Sequence, residues 1–210
     1  MSSRTVDVVD VGGCSNLRSV AGALQRVGAS PRIIQRADEV GFARALILPG
    51  AGSFKAFSES MITGDWPAVF SERARSGSAA VLGICLGLQV LMQAGEEGGG
   101  VAGLGLLAGT ARRVQSGGAP LPRVGWYEVE TITDQSVLFQ SIASGTDFYF
   151  LHSYCVDPSD RSGVVAESSY GERVVVAVEQ GNVMGVQFHP EKSSLAGLRL
   201  LRNFVDYAYR

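Results

Sequence analysis

Cysteine is scarce in this chain. Its three copies, Cys14, Cys85 and Cys155, are an odd number without framework spacing, which excludes a disulfide scaffold and predicts reduced thiols in a cytoplasmic protein. There is no excess of positive charge. The net charge is −2 and no Lys/Arg cluster stands out, so neither nucleic acid nor a membrane surface is an expected partner. The apolar runs are too short to span a bilayer, and Asp7 and Asp10 interrupt the N-terminal apolar stretch, unlike a signal peptide. Also missing are an internal repeat, a low-complexity tract, a convincing linker and a convergent set of metal ligands. The expectation is one domain over residues 1–210, with no metal and no cofactor.

What is present is a large apolar fraction, 46%, against 18% charged residues, enough for a sizeable core. Residues 6–11 (VDVVDV) read as a first strand. A loop follows, in which Ser15 or Asn16 is placed to cap a helix. Leu17, Val20, Ala21, Leu24 and Val27 then recur at helical spacing, and Gly28 can end the helix. PRIIQRA, ALILPG and SAAVLGI are strand candidates, the last without alternation, as expected where both sheet faces are covered. WPAVFSERARSG and LGLQVLMQA read as helices. This alternation predicts an α/β fold with a doubly wound, mostly parallel sheet. From GTARRVQ onward the runs are strand-like: RVGWYEVETI, DFYFLHSY, VVAESSY, RVVVAVEQ and VMGVQFHP. The Gln180–Asn182 segment (QGN) signals a hairpin between the last two. An antiparallel portion is therefore expected in the C-terminal half, closed by a helix with Leu198, Leu201, Phe204 and Val205 on its apolar face.

Cys85 sits between a strand and a helix in GICLG. Gly83 and Gly87 give this segment the small-x-nucleophile-x-small form of a nucleophile elbow. Such a turn needs glycine where neighbouring backbone comes too close for a side chain. It would lift the thiol to the carboxyl edge of a parallel sheet, where ligands bind, and aim the helix N–H groups at the sulfur. For Cys14 and Cys155 a role as small buried hydrophobes is the simpler reading. A thiol nucleophile needs a base, and there are two histidines. His189 ends an apolar strand, is fixed by Pro190, and has Glu191 two residues on as an orienting acceptor if the chain turns there. His152 reads as structural or as a group on the substrate side. LPGAGSF also follows a strand, so it would emerge on the same edge. Its two glycines leave backbone N–H groups free for an oxyanion.

LPGAGSF, GICLGLQ and GVQFHPEKS, in that order along nearly the whole chain, resemble the class I (triad) glutamine amidotransferases, whose fold is flavodoxin-like. SNLRSV, PRVGWYEV and YFLHSY extend the resemblance to the members that act as glutaminase subunits in histidine biosynthesis. The resemblance implies a triad of Cys85, His189 and Glu191. It implies oxyanion donors at Gly50, Ala51, Gly52 and Leu86. Glutamine would be held by Gln89, by Glu97 (with Glu96 as the neighbouring alternative) and by the strand of His152, Ser153 and Tyr154. Asn16, Arg18 and Trp126 match positions facing a partner. The chain departs from the family in three places. Arg123 and Tyr127 replace the histidine and asparagine of a Pro-His-x-Gly-Trp-Asn segment, the DVGGCSN loop has unusual spacing and content, and Ala51 replaces a bulkier valine. The first two departures are expected at partner-facing positions.

The expected reaction is hydrolysis of glutamine to glutamate and ammonia. In water ammonia becomes ammonium, which is not a nucleophile, so a docked partner must receive it by a dry route. The resemblance implies a cyclase of the (βα)₈ barrel type, in a heterodimer. A related subunit serving a sugar-modifying synthase, a stand-alone γ-glutamyl cysteine hydrolase and an inactive scaffold are the rival readings.

Overall fold

The computed structural model describes residues 4–12 and 16–210. Cys14 and Ser15 lie outside the described residues. The first part of the chain alternates strands and helices: β1 (Thr5–Val9), α1 (Leu17–Arg26), β2 (Ser30–Ile34), β3 (Ala45–Gly50), α2 (Phe54–Thr63), α3 (Trp66–Ser76), β4 (Ala80–Cys85) and α4 (Leu86–Leu91). Then come β5 (Met92–Gly95), β6 (Val101–Ala102), β7 (Leu107–Arg113), β8 (Arg123–Thr131), β9 (Thr146–His152), β10 (Tyr154–Pro158), β11 (Val164–Tyr170), β12 (Glu172–Gln180), β13 (Val183–Val186) and α5 (Ser194–Ala208).

The strands run β2-β1-β3-β4-β13-β12-β10-β7-β5-β6 in one sheet, and β11 joins β12 to the β8–β9 pair. The pairs from β2 to β13 are parallel. From β13 outward the pairing is antiparallel as far as β7. The expected parallel core with an antiparallel addition is therefore present. Gly181, in the left-handed region at φ 60°, makes the turn between β12 and β13, where Gln180 faces Val183.

The parallel strands are apolar without alternation because each face meets a different layer. On β3, Ala45 and Ile47 point to a core shared with α1 and α5, while Leu46 and Leu48 point to one shared with α2, α3 and α4. On β4, Ala80, Leu82 and Ile84 face the first core and Val81 the second. Asp7, inside β1, is fully buried because both carboxylate oxygens take 2.8 Å hydrogen bonds from Arg32.

Four local expectations are corrected. Helix α2 was not anticipated. The helix after Cys85 stops at Leu91, and residues 92–94, expected to continue it, belong to β5 instead, because Met92 and Ala94 pair with β7. The DFYFLHSY run is two strands, β9 and β10, interrupted at Ser153. Asn16 is the residue before α1, yet its side chain makes no capping hydrogen bond.

The elbow is built from three backbone approaches. Cys85 itself has φ 55° and ψ −111°, a conformation rare for a residue with a side chain. A Cβ at Gly87 would lie 1.8 Å from the Leu48 carbonyl oxygen, one at Gly83 would lie 2.7 Å from the Leu88 backbone, and one at Gly50 would lie 2.5 Å from the Gly87 nitrogen. Glycine at these positions lets β3, β4 and the start of α4 pack backbone against backbone. G87A is therefore expected to cost about 3 kcal/mol or more in a chemical denaturation experiment, since backbone must move. G22A, within α1 and with nothing within 4 Å of the added carbon, is expected to be neutral or to stabilise by up to about 1 kcal/mol.

Candidate active site

A cavity of about 290 Å³ opens over the carboxyl ends of the parallel strands. Cys85, Leu86 and Gln89 line it from the elbow and α4, and Ala51 and Gly52 from the segment after β3. His152, Ser153 and Tyr154 supply the wall at the β9–β10 break, while His189, Asn16 and Glu97 complete it. Most residues singled out in the sequence thus meet in one place. Gly50 does not line the cavity. It is packed behind it, opposite Cys85 in the β3–β4 register.

His189 lies three residues beyond the end of β13, and residues 190–192 form a single 3₁₀ turn. That turn brings the Glu191 carboxylate back to the ring, where Oε1 accepts from Nδ1 at 2.8 Å. The Glu191 side chain is fully buried and the His189 ring nearly so. The segment is braced from β9: Tyr149 receives the His189 N–H on its carbonyl, and Ser193 Oγ donates to the His189 carbonyl at 2.6 Å. The amide nitrogen of Asn16 lies 3.4 Å from Nδ1. Because Glu191 takes the Nδ1 proton, this is a packing contact rather than a cap for α1.

The second ring nitrogen, Nε2, is buried without a hydrogen bond of ordinary geometry. The Cys85 sulfur is its neighbour in the cavity. Burial disfavours the imidazolium, but Cys85 and Glu191 outweigh it and push the His189 pKa up to about 10. The sulfur lies 3.7 Å from the Leu151 carbonyl oxygen and 3.7 Å from the Gln187 amide nitrogen.

Gln89 is buried, and its amide nitrogen donates to the Tyr154 carbonyl at 2.8 Å and to Gln187 Oε1 at 3.1 Å. Glu97 and Glu96 are separated by geometry: Glu97 lines the cavity and takes the Phe54 N–H at 2.6 Å, whereas Glu96 is exposed and accepts from the Arg113 backbone. His152 Nδ1 donates to the Tyr154 carbonyl at 2.9 Å, and burial pushes its pKa down to about 4. Arg18 is exposed and away from the cavity, and Trp126 is 50% exposed, set edge-on against Tyr149. Arg123 is a correction. Expected to face a partner, it is fully buried, because its strand turns that side chain toward the aromatic core. Cys155 is buried as expected, with its thiol pushed up to about 12 by burial.

Sequence reasoning did not find Gln187, Leu151, Pro122 or Lys192, the last three of which also line the cavity. A glutamine inside the apolar run before His189 was a usable signal for the first. The Leu151 carbonyl carries none. Among the described residues no group of three or more His, Cys, Asp or Glu is placed to hold a metal, and no helix is long and apolar enough to cross a membrane.

A thiol on a strained strand-to-helix turn, an imidazole in the same cavity and a buried carboxylate behind that imidazole define a cysteine-dependent acyl-transfer site on an α/β sheet. The sequence pattern of the glutamine amidotransferase class-I family matches residues 7–207, and the chain belongs to that family. Among its relatives, the imidazole glycerol phosphate synthase subunit HisH of Moorella thermoacetica is 41% identical, covering 97% of this chain and 95% of the relative. The HisH subunit of Methanosarcina acetivorans is 41% identical over 92% and 95%, and that of Yersinia pseudotuberculosis 39% over 92% and 95%. The fold is shared with a glutamine amidotransferase crystal structure (TM-score 0.77, 21% identity, 99% of this chain and 100% of the other). It is shared as well with PurLQS from Thermotoga maritima (TM-score 0.78, 21% identity, 98% and 99%).

The raised pKa of His189 has a consequence for stability. Its folded value, about 10, lies above its ordinary 6.5. Protonated His189 therefore stabilises the fold fully below about pH 6.5, and that contribution drains away as the pH rises toward 10. E191Q removes the carboxylate that helps to raise it. Denaturant unfolding across this range is expected to show a shallower alkaline decline in E191Q than in the wild type.

Proposed function

We propose that this chain is the glutaminase subunit of an imidazole glycerol phosphate synthase, releasing ammonia from glutamine for a cyclase partner in histidine biosynthesis. The observation that carries the chemistry is the position of His189, with one ring nitrogen on the Glu191 carboxylate and the other facing the cavity beside Cys85. The near full-length similarity to HisH subunits carries the pathway, and it weighs against the sugar-directed and stand-alone readings. A single domain over residues 1–210 fits the family match over 7–207, and a cytoplasmic location fits the free thiols of Cys85 and Cys155.

In this reading the Cys85 sulfur attacks the side-chain amide carbon of glutamine. Backbone N–H groups of the 50–52 segment and of Leu86 hold the tetrahedral oxyanion, each such donor being worth about 10²–10³-fold in rate. His189, kept protonated by its neighbours, passes its proton to the leaving nitrogen, and ammonia departs. Water, deprotonated by His189, then hydrolyses the glutamyl thioester and frees the thiol. Gln89, Glu97 and the His152–Tyr154 wall hold the amino-acid end of the substrate. Trp126, Arg18 and Asn16 lie toward a cyclase of the (βα)₈ barrel type, which completes a heterodimer and takes the ammonia without exposing it to bulk water. The pair would convert N′-phosphoribulosyl-formimino-aminoimidazole-carboxamide ribotide to imidazole glycerol phosphate and aminoimidazole-carboxamide ribotide.

C85A is expected to lower glutaminase turnover by more than about 10⁴-fold and to abolish covalent labelling by diazo-oxonorleucine. Wild-type turnover is expected to be low alone and to rise when a liganded cyclase is added. Labelling at another residue, or equal turnover with and without the cyclase, would count against this assignment.

A further inference from the structure

Among the described residues Arg123 is a buried cation without a counter-ion. Its guanidinium carbon lies 4.0 Å from the centroid of Phe150, 4.2 Å from Tyr127 and 5.1 Å from Tyr170. One nitrogen, Nη2, donates to Ser168 Oγ at 2.6 Å, and that hydroxyl in turn donates to the Glu128 carbonyl. Nε and Nη1 are buried with no hydrogen-bond partner among the described residues. Burial pulls the pKa of the group down to about 10, so it remains charged at neutral pH. A charge in such surroundings is costly, and a methionine of similar length would fill the aromatic cage without that cost.

The cage lies against the active cavity. Arg123 opens β8 and pairs in register with His152, the last residue of β9, and Phe150 touches both, with the guanidinium 4.0 Å from its centroid and the His152 ring tilted against it at 5.6 Å. His152 Nδ1 is committed to the Tyr154 carbonyl, so in this tautomer Nε2 carries a lone pair. That nitrogen is buried and unpartnered in a residue that lines the cavity. The other titratable groups around His152 are His189 after β13, Cys85 at the end of β4, Tyr154 on β10, and Glu97 and Lys192, of opposite charge, on the cavity wall.

We propose that Arg123 is a positioning residue, fixing His152 as a neutral acceptor for an N–H of the bound amino acid and leaving His189 as the imidazole that carries the proton. The two rings of the cavity are accordingly pushed in opposite directions, His189 up to about 10 and His152 down to about 4. Burial is the largest cause for His152, and the charges of Arg123 and His189 add to it. Such a split assigns acid and acceptor roles without ambiguity. Protonation of His152 would put two cations in one cavity and leave the substrate donor facing a donor.

The kinetic part of this inference rests on the glutaminase reading, while the spectroscopic part does not. The chain has two histidines, so a nitrogen-15 NMR titration of labelled protein resolves both rings. In the wild type His152 is expected to stay in the neutral Nδ1–H tautomer down to about pH 4. In R123M its midpoint should rise by up to about one unit, because a like charge has gone. The melting temperature of R123M should hold or increase, KM for glutamine should rise about tenfold, and kcat should change by less than about twofold. R123K keeps the charge and gives up the planar fork, so it should retain the low midpoint, and it carries the test alone if R123M does not fold. The proposal is overturned by a His152 midpoint that does not move in R123M, by one that rises in R123K, or by a loss of melting temperature in R123M with KM unchanged. Were glutamine hydrolysis itself absent from the wild type, the titration would still decide the role of Arg123.

Discussion

The contact on which this molecule depends is the approach of the Gly87 backbone to the Leu48 carbonyl. It lets the chain leave β4 and enter α4 with no room to spare, and it forces Cys85 into a left-handed conformation with its sulfur over the sheet edge. The cavity follows from that turn. β3 and β4 end side by side, so the segment after Gly50 is delivered next to the thiol, and β13, pairing on the other side of β4, delivers His189. The strain is local, and the apolar strands on both sides, buried on both faces, are what hold it in place.

Around this turn the polar groups are sorted by what they are bonded to. The Glu191 carboxylate is spent on one nitrogen of His189, and the Tyr154 carbonyl on one nitrogen of His152. Each ring therefore offers its other nitrogen to the cavity, but with opposite preferences for a proton. Gln89 and Gln187 hold each other, which keeps two amides fixed behind the sulfur. Such fixed dipoles need little reorganisation when charge develops.

Cys85, His189 and Glu191 could be picked out in the sequence because each sits in a short, local pattern. Cys85 lies between glycines at a strand-to-helix change, and Glu191 lies two residues beyond a histidine that precedes proline. The parallel core was legible because its strands are apolar on both faces. Features set by pairing at a distance were not. Residues 92–94 look helical by composition, and only the partner strand β7 makes them extended. Nothing local marks the break at Ser153, which turns one apparent strand into two and exposes a wall of the cavity. Arg123 was expected to face a partner because it falls in a segment that the resemblance places at partner-facing positions. Its burial depends on three aromatic rings contributed by β8, β9 and β11.

The central position of β13 has a consequence for how the protein is made. This strand fills the gap between β4 and β12, yet it is read from the messenger long after β4. While the ribosome is still extending the chain, β4, which ends in Cys85, has one edge with open hydrogen-bonding groups, and so does β12. The sheet can close only when residues 183–186 emerge, which makes the final insertion a long-range event of the kind that folds slowly and leaves sticky intermediates. A nascent chain stalled before that point would carry the Cys85 turn without His189, and a raw sheet edge beside it.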